Sequence, residues 1–353
     1  MAYTTIDEPT DNFRIKLYAG NAGANRAIVW DETDTNLQPD MLWFKSRTDT
    51  QSHCLFDSVR GAVLRLIPNS AGAEGTENTN LDSFDTNGFQ VDAEAIVNGS
   101  SRNYVTWGWK AGTSFTNDAS STSVGSIDSA GSVNTDAGFS IISYTGTGSN
   151  GTVAHGLGAK PDMILIKNRS NGQQWSSYWS PLGATKYMRF ATTNAVATAS
   201  NRFANTEPTT SVFTVSTDGE VNENNTNLIA YCFTNIQGYS KIGKYTGNGN
   251  ADGPFIYTGF QPAFVMVKRT DDTGDWAIMD TARNPFNVIN NYLKAQGNDA
   301  ESTDASFDID AVSNGFKLRY TNSNYNGNGG AYIYMAFAKN PFVNSEGVPG
   351  NAR

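Results

Sequence analysis

Short apolar runs bounded by turn residues recur along the chain, and one of them is written three times. It reads PDMLWFK at 39–45, PDMILIK at 161–167 and PAFVMVK at 262–268. Proline can begin a strand but does not sit in its middle, and such a run is too short for a helix. Each run is therefore predicted to form a buried strand.

Three further motifs accompany each run in the same order. They are an aromatic turn (Tyr18-Ala-Gly, Tyr144-Thr-Gly, Tyr245-Thr-Gly), a polar turn (86–89, 216–219, 313–316) and an aromatic strand (104–109, 228–233, 332–337). In the aromatic strand YVTWGW, large and small residues alternate, as is typical of a strand with one buried face. A period of roughly 100 to 125 residues is too long for a solenoid repeat and suits a complete antiparallel sandwich.

The sequence thus predicts an all-β protein built of three tandem antiparallel β-sandwich copies, jelly-roll or lectin-like, of about 100 residues each. The predicted parts are an N-terminal arm (1–10), copy 1 (11–112), copy 2 (139–237), copy 3 (238–340) and a C-terminal tail (341–353). Residues 113–138 are rich in Ser and Gly. They form either a flexible linker or an added edge strand, and both interpretations stay open.

Composition and charge exclude some classes of partner. The 353 residues carry a net charge of -9, whereas a phosphate-binding surface needs clustered Lys and Arg, so nucleic acid is not an expected partner. No run of about 18 apolar residues is present, so no membrane insertion is expected. The N-terminus lacks the basic and apolar regions of an export signal. Cys54 and Cys232 are expected to be buried free thiols.

The chain offers little for catalysis. His53 and His155 are its only histidines, and Cys54, next to His53, would point to the opposite face of a strand. The acidic residues lie in turn-like sequence, so the protein is not expected to be an enzyme. The acidic segments 31–34 and 304–310 do not follow an ordered calcium-loop pattern, so neither metal nor cofactor is expected.

One charged pair recurs in two of the copies. Asp57-Ser-Val-Arg60 matches Asp280-Thr-Ala-Arg283, whereas copy 2 has Ser180-Pro-Leu-Gly183 near that place. The simpler interpretation is an Asp–Arg pair that closes a turn, and a ligand contact is the alternative. The lysines that end the three apolar runs are expected to be solvated strand ends.

Aromatic side chains give the remaining indication of function, because sugar rings stack on them through the contacts that also pack cores. Trp107 is expected in the core. The candidate ligand or surface contacts are Trp175, Tyr178, Trp179, Trp276, Arg60 and Arg283.

Several of these segments together resemble a family of bacteriophage structural proteins. The resemblance is carried by QPDMLWFKSR at 38–47, KPDMILIKNR at 160–169, GYSKIGKYTGNGN at 238–250 and the ending YIYMAFAKNPFVNSEGVPGNAR. The family is common in phages of marine bacteria and cyanobacteria and is often labelled tail fibre or concanavalin-like lectin. The resemblance implies a virion protein of β-sandwich units and carries over no catalytic residues.

From the resemblance we expect a component of a tail or head fibre or appendage that contacts the host surface. An adaptor or capsid-decorating protein with protein-only interfaces is the first alternative, and a glycan-cleaving enzyme is the second. The implied partners are other virion proteins, further copies of the chain in a homo-oligomer such as a trimer, and a host surface glycan. The implied location is the virion, after assembly in the host cytoplasm.

Overall fold

The computed structural model describes residues 2–350, and the predicted all-β fold is confirmed. Strands hold 42% of the residues and helices 6%, and the strand pairs in the sheets are antiparallel. No helix among residues 2–350 is long and apolar enough to cross a membrane.

Copy 1 packs a large sheet, in the strand order β1-β9-β3-β4, against a small sheet, β2-β8-β7. A short pair, β5-β6, extends beyond the large sheet. Its elements are β1 (Phe13–Ala19), β2 (Arg26–Val29), β3 (Met41–Ser46), β4 (Cys54–Asp57), β5 (Leu64–Arg65), β6 (Gly75–Thr76), β7 (Leu81–Asp85), β8 (Gly88–Val91), α1 (Ala95–Asn98) and β9 (Asn103–Trp109), preceded by a 3-10 helix at Pro9–Asp11.

Copy 2 has the same arrangement with two strands added at one edge. Its large sheet runs β10-β11-β12-β19-β14-β15-β16-β17 and its small sheet is β13-β18. Its elements are β10 (Thr113–Asn117), α2 (Ala119–Thr122), β11 (Ser129–Asn134), β12 (Phe139–Thr145), β13 (Gly151–Ala154), β14 (Met163–Asn168), β15 (Ser176–Trp179), β16 (Lys186–Arg189), β17 (Ala197–Thr198), α3 (Ser200–Phe203), β18 (Val212–Val215), α4 (Gly219–Asn222) and β19 (Asn227–Phe233). Of the two interpretations of residues 113–138, the structure therefore has the edge strand, since β10 and β11 pair there.

Copy 3 repeats the pattern, with β20-β28-β22-β23-β24-β25 as the large sheet and β21-β27-β26 as the small one. Its elements are β20 (Ser240–Thr246), β21 (Phe255–Tyr257), β22 (Phe260–Arg269), β23 (Trp276–Asp280), β24 (Asn291–Lys294), β25 (Ser302–Thr303), a 3-10 helix at Ala305–Phe307, β26 (Ile309–Val312), β27 (Gly315–Leu318) and β28 (Ala331–Pro341). The first strand, the last strand, the Pro-initiated strand and the strand after it are neighbours in each large sheet.

The aromatic turn has the same physical basis in each copy. The Tyr144 hydroxyl donates a 2.6 Å hydrogen bond to the Val221 carbonyl, and Tyr18 and Tyr245 make equivalent 2.6 Å bonds. A Cβ on Gly146 would lie 2.1 Å from the Glu223 carbonyl oxygen, so only glycine fits this close approach. The buried Asn222 amide then bonds both the Thr147 N–H and the Ser149 carbonyl, at 2.8 and 2.5 Å. The motif thus fastens the first strand of a copy to the turn before its last strand.

The Pro-initiated strands are apolar throughout because both of their faces are buried. In β3, Leu42 and Phe44 face the core between the two sheets of copy 1, whereas Met41 and Trp43 face a second core outside the large sheet. A strand covered on both faces loses the alternation of apolar and polar residues. The lysine that ends this strand, Lys45, is also fully buried, so the expectation of solvated strand ends is wrong for it and for its two counterparts, Lys167 and Lys268.

The second core, here the central core, is shared by all three copies. The outward faces of the three large sheets meet there. Three residues at equivalent ends of the last strands form a triangle of aromatic rings: Trp109 to Phe233 is 6.4 Å, Trp109 to Phe337 is 5.5 Å and Phe233 to Phe337 is 5.9 Å between ring centroids. The copies therefore close into a ring around a pseudo-threefold axis.

Candidate functional site

The structure buries every residue that the sequence suggested as a surface contact. Trp175, Tyr178, Trp179, Trp276, Arg60 and Arg283 are each at most 8% exposed. The expectation that they meet a ligand at the surface is therefore wrong. The physical reason is that the strand after each Pro-initiated strand lies where one copy packs against the next, so both of its faces are covered.

The Asp57–Arg60 pair belongs to the junction between copies 1 and 2. Arg60 Nε lies 2.5 Å from Asp57 Oδ2, and the Arg60 backbone N–H donates to Asp57 Oδ1 at 2.9 Å, so the predicted turn closure is confirmed. Glu74 then accepts from Arg60 at 2.9 Å and from Arg169 of copy 2 at 2.8 Å. The Tyr231 hydroxyl, also from copy 2, donates to Asp57 at 2.6 Å.

The junction between copies 3 and 1 repeats this network with equivalent residues. Arg283 Nε lies 2.6 Å from Asp280 Oδ2, and Glu301 accepts from Arg283 at 3.1 Å and from Arg47 of copy 1 at 2.7 Å. The Trp107 indole N–H donates to Asp280 at 3.2 Å. Burial opposes ionisation of Glu301, but the Arg47 and Arg283 guanidiniums outweigh it and hold its pKa below the usual value.

The junction between copies 2 and 3 has the same backbone contact without the charges. The Val196 N–H donates to the Thr270 carbonyl at 2.9 Å, as the Glu301 N–H does to the Arg47 carbonyl at 2.8 Å. In copy 2, Trp179 pairs with Met163 at the position where, in copy 1, Asp57 pairs with Met41. Its ring packs 5.7 Å from that of Trp276 in copy 3. Aromatic packing thus stands at this junction in place of the Asp–Arg pair.

Two of the three buried lysines also bridge neighbouring copies. Lys167 Nζ donates to the Ala71 carbonyl of copy 1 at 3.0 Å, and Lys268 Nζ donates to the Thr193 carbonyl of copy 2 at 3.3 Å. Burial lowers the pKa of each of these ammonium groups, and that of Lys45, to about 8. Their contacts are backbone carbonyls, so they stabilise strand ends and loops.

His53 and Cys54 are fully buried, and their contacts are structural. His53 Nδ1 accepts a 2.8 Å hydrogen bond from the Trp43 indole, so its Nε2 carries the proton toward the Lys294 carbonyl, 3.1 Å away. Burial lowers the pKa of His53 well below its usual value and raises that of the Cys54 thiol to about 12. Within residues 2–350, no group of three or more His, Cys, Asp or Glu side chains is placed to hold a metal ion.

The exposed aromatic residues of copy 3 were missed by the sequence reasoning. Phe255 and Tyr257 on β21 are 46% and 53% exposed, while Ile256 between them is buried. In the same register positions copy 1 has Ala27 and Val29, and copy 2 has Thr152 and Ala154. Comparing FIY at 255–257 with AIV at 27–29 and TVA at 152–154 would have revealed the difference.

The ring of Phe255 reaches the neighbouring strand β27 of the small sheet. A Cβ on Gly315 would be 2.9 Å from Phe255 Cε2, so this ring atom lies beside that glycine. Phe255 is nevertheless 46% exposed. Tyr257 is held by its hydroxyl, which lies 2.9 Å from that of Tyr3, and Tyr3 in turn donates to the Gly259 carbonyl at 2.9 Å.

A cleft of about 240 Å³ opens beside Tyr257. It is lined by Tyr3 of the arm, by residues of 235–241 and by residues of 257–259, and Lys241 is the only charged lining residue among residues 2–350. We call Phe255, Tyr257 and this cleft the aromatic face of copy 3. A larger cleft of about 480 Å³, between copies 1 and 3, is lined by Glu8, Asp11, Glu32 and Asp34 among others.

A family model described as a domain of unknown function (DUF7483) matches residues 8–341, which span all three copies. A search of curated proteins found no match.

Proposed function

The chain belongs to the DUF7483 family, a domain of unknown function, and we propose that it is a structural protein of a bacteriophage virion, namely a component of a tail or head fibre that contacts the host surface. The resemblance of its Pro-initiated strands and its C-terminal segment to phage structural proteins supports this proposal. A ring held by a common core is also suited to a rigid appendage, because no free linker separates the copies. The proposed role needs no catalytic step.

The aromatic face of copy 3 carries the proposal. Three copies share a strand order, so any residue that the fold itself requires should recur at equivalent positions. Phe255 and Tyr257 do not recur, and both leave apolar ring surface in water. The fold therefore does not explain why copy 3 alone exposes two aromatic rings on this strand, and a binding role does explain it.

The terminal segments favour a fibre component over a decorating protein that reaches into its neighbours. Thr4 Oγ1 donates to the Gln237 carbonyl at 2.7 Å, and Ile6 is buried in the central core. The Ser345 N–H donates to Asp7 Oδ1 at 2.6 Å, which ties the C-terminal tail to the arm. The described parts of both segments thus pack on their own chain.

Electron microscopy of the intact virion tests the proposal. We expect the density of this chain at the distal end of a fibre, with the aromatic face of copy 3 free of other virion proteins. If the chain instead lies within the capsid or tail wall, with that face covered by neighbours, the fibre proposal is wrong and the adaptor alternative replaces it.

A further inference from the structure

The geometry points to a carbohydrate-binding site on the aromatic face of copy 3, and we propose that Phe255 and Tyr257 stack on pyranose rings while the cleft beside Tyr257 holds an adjoining sugar. This inference rests on the proposed function, since it names what the protein would recognise on the host surface. It is carried by the exposure of the rings, the polarity and size of the cleft, and the comparison among copies.

The exposure of Phe255 suits stacking. Its Cε2 atom lies beside Gly315 of β27, while 46% of the residue is open to solvent. Sugar C–H groups pack on exposed aromatic rings through apolar contacts. Tyr257 is held by the bond to Tyr3, so little freedom is lost when a ligand binds.

The cleft favours an uncharged or weakly charged polar ligand. Its lining includes hydroxyl, amide and backbone groups, and Lys241 is the one charged side chain that the described part of the chain contributes. Its volume of about 240 Å³ is smaller than a site for a drug-sized ligand, which takes about 300 to 1,000 Å³. A hydroxyl-rich ligand of one or two rings fits both its size and its chemistry.

The exposed area argues against a protein partner. At 46% and 53% exposure, Phe255 and Tyr257 present about 200 Å² together, if each aromatic side chain contributes about 150 to 250 Å² in full. A stable protein interface takes about 800 Å² from each partner. Phe286 is 79% exposed but adds nothing here, because its loop lies at the other edge of the small sheet, where Asn287 bonds Ala311 of β26.

The chain itself supplies matched variants. Replacing Phe255 by Thr and Tyr257 by Ala installs the residues of copy 2, whose small sheet forms with them. The first control makes the same residues in copy 1, Ala27→Thr with Val29→Ala. The second control is Phe286→Ala, which removes the most exposed large apolar side chain without touching the aromatic face.

The experiment uses the full chain on an array of mono- and oligosaccharides, followed by calorimetric titration of the best free oligosaccharide. We expect the Phe255→Thr/Tyr257→Ala variant to lose at least about tenfold in affinity, since each tenfold corresponds to about 1.4 kcal/mol and two stacked rings are removed. Both controls should bind like the parent chain. Circular dichroism and the urea midpoint confirm that all variants are folded.

The inference is overturned if the parent chain binds no saccharide at millimolar concentration, or if the controls lose affinity as much as the Phe255→Thr/Tyr257→Ala variant does. The two proposals fail separately. A chain that stands at a fibre tip but binds no sugar would contradict only the carbohydrate site. A chain that binds sugar through Phe255 and Tyr257 but lies in the capsid wall would contradict only the fibre proposal.

Discussion

Replacing Glu301 by valine tests how the ring is held closed between copies 3 and 1. The Glu301 carboxylate accepts from Arg47 at 2.7 and 3.0 Å and from Arg283 at 3.1 Å. Its side chain is only 11% exposed and that of Arg47 is 22% exposed. Breaking a fully buried ion pair costs about 3 to 5 kcal/mol, and the partial exposure of Arg47 reduces this. We therefore expect Glu301→Val to lower the free energy of unfolding by about 2 to 4 kcal/mol.

The junction between copies 2 and 3, which has no Asp–Arg pair, supplies the matching double variant. Val196 and Thr270 stand there in place of Glu301 and Arg47. In Glu301→Val with Arg47→Thr, no guanidinium is left unpaired at the junction, because Arg283 keeps Asp280 and the Ile278 carbonyl. The double variant should therefore be at least about 1 kcal/mol more stable than Glu301→Val alone.

Urea unfolding at pH 7 measures both effects through the midpoint, with an unchanged slope as the condition for comparison. The control is Glu77→Val, which removes a pair with Arg65 on the surface of copy 1 and should cost less than about 1 kcal/mol. The reasoning is refuted if Glu301→Val costs no more than this control. It is equally refuted if the destabilisation of the double variant equals the sum of the two single substitutions.

Three further expectations concern buried groups. Burial lowers the Lys167 pKa to about 8, so between pH 8 and about 10 the unfolded chain binds more protons than the folded chain. The free energy of unfolding should therefore rise with pH in this range. Lys167→Met should reduce the rise of the urea midpoint between about pH 8 and 9.5. Asn222→Ala should cost about 1 to 3 kcal/mol in the same assay, because it leaves the Thr147 N–H and the Ser149 carbonyl unpaired, and a cost near zero would contradict the role of this amide. Cys54 and Cys232 are fully buried, and burial raises both pKa values to about 12, so Ellman's reagent should label them only in denaturant, and rapid labelling of the native chain would contradict their burial.

The sequence predicted the strands that carry a local signature. Pro39 and Pro161 stand just before their central strands, and Gly146 marks a turn that a side chain would block. Pro262 instead lies inside β22, where the register with β28 shifts on either side of it, so the expectation that it begins the strand is wrong. The central core could not be predicted, because a residue such as Trp43 on the outer face of a sheet looks the same whether it meets solvent, a ligand or another copy. The same ambiguity made buried Trp175 and Trp276 resemble surface contacts.

The Asp57–Arg60 pair shows which contacts can be predicted from residues close in sequence and which cannot. The spacing of Asp57 and Arg60 predicted a closed turn, and the turn is closed. Neither residue signals Glu74, which lies fourteen positions beyond Arg60, or Arg169 in the next copy. A contact between copies depends on how their sheets pack, and only the absence of the pair from copy 2 indicated that its junction differs.

Three copies joined in one chain can carry different residues at equivalent positions, whereas the subunits of a homotrimer cannot. In a trimer of identical subunits, every substitution appears three times, so an aromatic face would appear three times as well. Here Phe255 and Tyr257 occupy one copy, while Ala27 and Val29, and Thr152 and Ala154, occupy the same positions in the others. The triangle of rings at the axis contains an aromatic residue from each copy. Packing around the axis couples the three copies, so each copy supplies a large ring there, whereas the outer strands are uncoupled and one of them can present a surface of its own.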